Sequence, residues 1–387
     1  MDPIGLYLSV PFCRSKCTYC NFASGVYPAS FMGRYVQRLC EDMLSAKQFV
    51  SAESVDSIYW GGGTPSLLSP QYFRELFRAI RQQWNVLGHA EITVECAPGQ
   101  LAEETLDAML ECGVNRISFG VQSFMDQEAR AAGRLHTRAI AWEDICRVRQ
   151  KGVSRVNVDL IAGLPYQTQA SWQESLDVLA ETGADHTSIY MLEVDDDSRL
   201  GREVLNGGAR YSAPEVPSDD AIAGMYLTAI ETLARRGLEQ YEISNFARCG
   251  AESEHNKKYW LRKPYLGLGV DAHSMLRTED GGCLRFAAHE GLEEYLKAPG
   301  WEQRQRLTRQ EELEEAWFLG LRLNAGVDLR KLKAEFGAEA LSDCLCIIED
   351  LVEEGLLEKS GECVRLTQRG RLLSNDVFAR FLVSAPA

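Results

Sequence analysis

The sequence predicts an α/β chain: an open (βα)6 partial barrel followed by a small C-terminal α+β domain of winged-helix type. Three observations carry that expectation. Short β-rich runs alternate six times with amphipathic helical patterns, an order that makes a parallel sheet with helices outside. Residues able to do chemistry fall just after strands, at the end where barrels build their sites. Past Leu307 the alternation gives way to helices and a β-hairpin.

The expected strands are Gly5–Val10, Ser57–Trp60, Glu91–Cys96, Arg116–Val121, Arg155–Ile161 and His186–Leu192. Helical patterns lie between them at Phe31–Phe49, Gln71–Trp84, Ala102–Cys112, Ala139–Lys151 and Ala170–Thr182. Gly113, Gly152 and Gly183 each close a helical pattern shortly before a strand, as a glycine past a helix end does. Ser69-Pro70 reads as an N-cap followed by a first-turn proline. Residues 193–220 break the rhythm with Asp195-Asp-Asp-Ser198, Gly207-Gly208, Pro214 and Pro217. They predict a mobile loop, either a lid over the last barrel strand or a surface excursion. A helix at Asp219–Arg236 follows.

The expected division is a barrel over 1–195, an extension over 196–300 and a C-terminal domain over 301–387, with a boundary near Ala298–Leu307. The last part predicts helices Gln310–Leu323, Asp328–Phe336 and Glu339–Glu354, then strands Leu356–Lys359 and Cys363–Leu366 turned at Ser360-Gly361. Residues 308–387 hold 10 Lys+Arg against 15 Asp+Glu, which argues against DNA binding by this module. Packing or partner contact is the expected role.

The 387-residue chain has a net charge of −15, so bulk attraction to nucleic acid or anionic lipid is not expected. No run approaches the roughly 18 apolar residues of a membrane span. The start, Met1-Asp-Pro-Ile-Gly5, lacks the basic region of a signal peptide. Twelve cysteines without a regular framework point to a reducing cytoplasm. Cys40, Cys96, Cys112, Cys146, Cys344 and Cys346 lie in apolar contexts and read as packing residues.

Cys13, Cys17 and Cys20 are different. Their C-x3-C-x2-C spacing can point three thiolates at one iron–sulfur cluster, leaving one iron open to a non-protein ligand. A zinc site, redox thiols or core packing are the alternatives; zinc would want a fourth Cys or His at short spacing. The spacing resembles that of radical S-adenosylmethionine (SAM) enzymes. Tyr59-Trp-Gly-Gly-Gly-Thr-Pro-Ser66 follows the second strand, where glycines bring backbone close to a ligand, though a tight turn would also explain them. Glu95, Gln122 and Asp159 sit near strand ends in apolar runs, where a carboxylate costs free energy unless paired or bound. An internal salt bridge is one resolution. The other has Glu95 taking the methionyl ammonium of SAM and Asp159 a ribose hydroxyl. Arg134 could pair with a carboxylate. In Glu254-His-Asn-Lys-Lys-Tyr-Trp260, a histidine with flanking aromatics suits haem, with His255 as axial ligand; a turn-capping histidine over core aromatics is the plainer reading.

Together these residues resemble the oxygen-independent coproporphyrinogen III oxidase-like family of radical SAM proteins, from Tyr7 to Leu372-Leu-Ser-Asn-Asp-Val-Phe378. The resemblance implies a [4Fe–4S] cluster on Cys13, Cys17 and Cys20. It places SAM and cluster-loop contacts on Tyr7, Tyr19, Phe22, Gly62, Gly63, Thr64, Glu95, Gln122, Arg134 and Asp159. The oxidases carry a further cysteine two residues after the third; this chain has Cys20-Asn-Phe22. His255-Asn-Lys-Lys-Tyr-Trp260 matches the H-N-x-x-Y-W motif of the haem chaperone branch, which implies haem, a haem-acceptor protein and a reductant protein as partners, without oxidase activity. The alternative it implies is oxidative decarboxylation of coproporphyrinogen III in porphyrin biosynthesis. Gly267-Leu-Gly-Val-Asp-Ala-His-Ser274 departs from the family by placing Asp271 where a glycine is usual.

Overall fold

Period-two patterning builds the barrel. The computed structural model describes residues 2–297 and 300–382. Strands β1 (Ile4–Val10), β2 (Ser54–Gly62), β3 (Asn85–Cys96), β4 (Arg116–Gln122), β5 (Arg155–Ala162) and β6 (His186–Met191) pair in parallel, in chain order. Alternate residues point to opposite faces of a strand. The outer row is apolar and buried under helices: Leu6 and Leu8, Ile58 and Trp60, Ile92 and Val94, Ile117 and Phe119, Val156 and Val158. Trp60 packs between Phe73 and Phe77 of helix Pro70–Gln83, with ring centroids 5.0 and 5.2 Å away. The inner row is polar: Tyr7, Tyr59, Glu95, Ser118, Asn157, Asp159, His186 and Ser188.

Residues 239–306 extend the same sheet at both edges. β8 (Asn245–Ala247) runs antiparallel beside β6, and β7 (Glu239–Gln240) pairs antiparallel with β8 at the edge. β9 (Tyr265–Leu268) pairs in parallel with β1 and leads into an antiparallel meander of β10 (His273–Arg277), β11 (Cys283–Ala287) and β12 (Glu302–Arg306). The sheet therefore has twelve strands among the described residues. β12 still belongs to the sheet and ends at Arg306, at the far end of the expected boundary range Ala298–Leu307; Ala298 and Pro299 lie outside the described residues. Met1 and residues 383–387 lie outside them too.

The C-terminal domain has its own core around Trp317, Leu332, Leu351 and Phe381. Helix Arg309–Gly320 leads to β13 (Val327–Asp328), helices Leu329–Phe336 and Ser342–Glu353 follow it, and β14 (Leu357–Ser360) and β15 (Cys363–Leu366) complete a sheet ordered β13-β15-β14. Cys346 is exposed, because it faces outward on its helix, rather than packed as expected. No helix among the described residues is long and apolar enough to cross a membrane.

The loop expected at 193–220 is instead folded. Ser198 caps a helix at Arg199–Leu205, and a 3-10 segment follows at Arg210–Glu215. Glycine and proline there shape turns between short helices.

Helix Glu254–Trp260 closes the barrel floor, where strand starts leave polar groups needing partners. The buried Glu91 carboxylate accepts from Ser253 Oγ (3.2 Å), Glu254 N (3.2 Å) and His255 N (3.0 Å). It thereby neutralises the helix N-terminus. Replacing Glu91 with Ala strands these donors in a dry site, so we expect a loss of about 3 kcal/mol in chemical denaturation, with Glu91→Gln losing less. Equal stability of Glu91→Ala and wild type would contradict this role.

Candidate metal centre at the barrel mouth

The loop after β1 carries the three cysteines and has little regular structure of its own. Phe12 anchors it: the ring is buried and packs edge-on against Tyr27 (6.1 Å) and Tyr35 (5.4 Å). Cys13 N bonds Gly25 O and Gly25 N bonds Pro11 O, both at 2.9 Å, closing the loop on itself. The glycine turn after β2 then clamps it, with Gly63 N on Val10 O and Thr64 N on Phe12 O, each 2.8 Å. A Cβ on Gly63 would lie 2.8 Å from those two carbonyl oxygens and 3.0 Å from Cys13 Sγ. Only glycine permits this approach.

All three cysteines are free and partly accessible. Thr64 Oγ1 is 3.9 Å from Cys13 Sγ, and Ser24 Oγ 4.0 Å from Cys20 Sγ. Arg134 Nη1 donates to Cys17 Sγ at 3.2 Å. Burial pushes the Cys13 and Cys20 thiols up; Cys13 also feels Cys20 and Cys17, and Cys20 feels Cys17. A soft metal that displaces their protons relieves both effects. Among the described residues no three His, Cys, Asp or Glu side chains gather around a point fit for one metal ion. Three free thiols on one loop are the soft donors that an iron–sulfur centre takes.

The segment after β6 covers one side of this loop. Leu200 N bonds Thr18 O at 2.8 Å, Arg199 bonds the Lys16 carbonyl, and Asn21 Nδ2 reaches Asp195 Oδ2 at 3.0 Å.

Beneath the cysteines the lumen is polar. Tyr7 and Tyr59 stack at 6.2 Å, and Tyr59 OH donates to Glu95 Oε1 at 2.8 Å. Gly61 leaves room there: a Cβ would meet Glu95 Oε1, Tyr59 and Tyr7 at 3.1 Å each. Glu95 is partly reachable through the lumen yet deep in protein, and burial, with Asp159 adding to it, pushes its carboxyl up to about 7. Burial also raises Asp159, which accepts from Ser118 Oγ (3.0 Å) and Asn157 Nδ2 (2.7 Å). Among the described residues neither carboxylate forms an ion pair, although the Arg116 guanidinium attracts both. Gln122 sits in left-handed backbone (φ 72°) with its Oε1 buried and without a hydrogen-bond partner. These groups fit a ligand that is cationic at one end and rich in hydroxyl and amino donors, as SAM is.

The structure therefore gathers Cys13, Cys17, Cys20, Tyr19, Gly63, Thr64 and Arg134 at the mouth, with Tyr7, Gly62, Glu95, Gln122 and Asp159 in or beside the lumen. Phe22 lies on the same loop, but its ring is 61% exposed and turned outward. Asp271 sits in left-handed backbone (φ 56°), an angle that glycine adopts freely and aspartate tolerates. His273 beside it is exposed.

His255, the expected haem ligand, is not with them. It is buried at the floor, with Nδ1 on Ser57 Oγ (2.9 Å) and Nε2 on Tyr259 OH (2.8 Å). Burial, helped by Lys258, holds it neutral, with its pKa down to about 3. Neither nitrogen is offered to an iron. Sequence reasoning missed Tyr59, Ser118, Asn157 and Tyr190 as lumen residues; the period-two polar positions of the strands were the available signal.

Residues 7–215 match the Radical SAM superfamily and residues 307–373 the HemN C-terminal domain. The chain is 32% identical to "Heme chaperone HemW" of Lactococcus lactis over 98% of both chains. It is 32% identical to the protein of the same name from Bacillus subtilis, over 97% of this chain and 98% of that one. The structure superposes on the coproporphyrinogen III oxidase HemN of Escherichia coli with a TM-score of 0.84 at 23% identity, covering 98% of this chain and 90% of that one, a likeness of fold. The protein belongs to the radical SAM superfamily, within the oxygen-independent coproporphyrinogen III oxidase-like family and its HemW-type branch.

Proposed function

We propose that this protein is a cytoplasmic haem chaperone that holds a [4Fe–4S] cluster on Cys13, Cys17 and Cys20, binds SAM in the lumen and passes haem to acceptor proteins. The observation that carries the reading is full-length similarity to proteins named as haem chaperones, in a chain that keeps the three loop thiols. The absent further cysteine, Asn21-Phe22 in its place, favours it over the oxidase reading. When bound, the cluster supplies one-electron chemistry at an iron that no protein sulfur closes.

The chain's own residues bind and orient. Glu95 receives the methionyl ammonium, Asp159 a ribose hydroxyl, and the Gly61–Gly63 backbone gives the ligand room. Gln122 Oε1 waits for a donor. Phe22, Leu135 and Leu205 are 61%, 62% and 60% exposed and belong to the three segments that meet around the cysteines. An apolar rim of this kind suits a flat macrocycle that must be released again.

Anaerobically reconstituted protein should bind haem in a titration followed at the Soret band and give it up to an acceptor. With coproporphyrinogen III, SAM and a reductant it should form no protoporphyrinogen; formation of that product would establish the oxidase reading instead. In the same titration His255→Ala should match wild-type haem affinity while unfolding earlier, whereas loss of haem by a folded variant would restore His255 as a ligand.

The raised carboxyl of Glu95 adds a pH signature. Its folded value stands above the ordinary one, so its ionisation costs nothing below about pH 4.5 and destabilises the unliganded protein increasingly up to about 7. A cationic ligand binds the ionised form. SAM affinity should therefore rise about fivefold from pH 6 to pH 7, below the range where the ligand's own amine titrates. Calorimetry on Glu95→Gln should show weaker binding with that rise abolished.

A further inference from the structure

We propose that Arg134 tunes the metal centre: its guanidinium donates a charge-assisted hydrogen bond to the sulfur of Cys17 and thereby holds the reduction potential of the cluster up. The inference rests on the cluster reading given above and deepens it.

Both arms of the side chain are committed before any ligand arrives. Nη1 lies 3.2 Å from Cys17 Sγ, and Nη2 bonds the Gly120 carbonyl at the end of β4. The strand fixes the fork, and the fork addresses the sulfur. The side chain is not needed to hold the loop, because backbone already does so. Thr18 N bonds Ala132 O at 3.1 Å, and Thr18 Oγ1 bonds Ala131 O at 3.3 Å. A Cβ on Gly133 would come within 3.3 Å of Cys17 Cα, so the turn is already in close contact with the loop.

The three sulfurs are also unequal. Cys13 and Cys20 have hydroxyl partners at 3.9 and 4.0 Å, neutral and distant. Cys17 alone among them has a cation at hydrogen-bond distance. Guanidinium is charged at every relevant pH, and a charge-assisted bond is about twice as strong as a neutral one. Donation to a ligand sulfur draws electron density from it and favours the reduced, more negative cluster. One corner of the centre is thus biased toward accepting an electron. As expected from the sequence, Arg134 can pair with a carboxylate; the geometry here assigns it a task toward the sulfur as well.

The test uses the full chain, reconstituted anaerobically as wild type, Arg134→Lys and Arg134→Met. Iron and sulfide are counted, and the potential is read by EPR-monitored redox titration without SAM, so that no ligand carboxylate competes for the guanidinium. We expect similar iron in all three, the lowest potential in Arg134→Met, and an intermediate one in Arg134→Lys, which keeps the charge but loses the fork. A loaded Arg134→Met with the wild-type potential overturns the proposal. Should Arg134→Met lose iron, Arg134→Lys decides: a potential at or above wild type overturns it, a lower one supports it. A wild-type chain that takes up no iron, or takes it up equally with serine at positions 13, 17 and 20, overturns the cluster reading itself.

Discussion

The site depends on a clamp of backbone against backbone. Gly63 N on Val10 O and Thr64 N on Phe12 O are the contacts that tie the cysteine loop to the second strand. Each such bond contributes only about 0.5–1.5 kcal/mol net. Burying the Phe12 ring contributes more, about 1.5–3 kcal/mol. The division of labour follows from those magnitudes: the ring supplies the energy of the loop's attachment and the two bonds supply its direction. An irregular loop has no ladder to fix its sulfurs. Here their positions are inherited from a strand end, through a turn that tolerates no side chain at Gly63.

The lumen reverses the usual barrel interior. Branched apolar side chains fill most small barrels. This one turns Glu95, Asp159, Asn157, Ser118 and His186 inward, and His186 continues the network through Asn157 Oδ1 (2.6 Å) and Tyr241 OH (2.9 Å). Hydroxyls and amides satisfy Asp159, whereas Glu95 has Tyr59 and the Gly62 backbone, and burial still raises its carboxyl. The barrel stays folded because its outer row is wholly apolar and packed. The inner row is thereby free to be shaped for a ligand, and the strain that remains is of the sign that a cation relieves.

What could be read from the sequence follows from how local each signal was. The six parallel strands were legible because their outer rows are continuous in β-branched and aromatic residues, and the C-terminal helices and hairpin because their turns are marked by Gly and Asp. The three thiols were legible from spacing alone. The edge strands over 239–306 were not, since β7, β8 and β9 have two to four residues and take their conformation from the sheet they join. The segment 193–220 looked mobile because its acids and glycines resemble those of a loop; its order comes from contacts with the cysteine loop about 180 residues earlier, such as Asn21 with Asp195, which no window can contain.

His255-Asn-Lys-Lys-Tyr-Trp260 shows the same limit in a motif. Histidine, tyrosine and tryptophan together suggest a ligand site because they can bind metals and stack on rings. The same side chains also solve a packing problem in which polar strand starts meet a second domain. His255 spans Ser57 and Tyr259, and Lys258 pairs with Asp56 at 2.7 Å while reaching the Pro3 carbonyl. Trp260 lies under the Arg322 guanidinium at 4.3 Å, and Arg322 pairs with the buried Glu242 at 3.4 Å. The short helix therefore joins the barrel floor to the C-terminal domain at the end opposite the cysteines. Any influence of this motif on haem handling has to travel through that joint, since its imidazole has both nitrogens bonded within the fold.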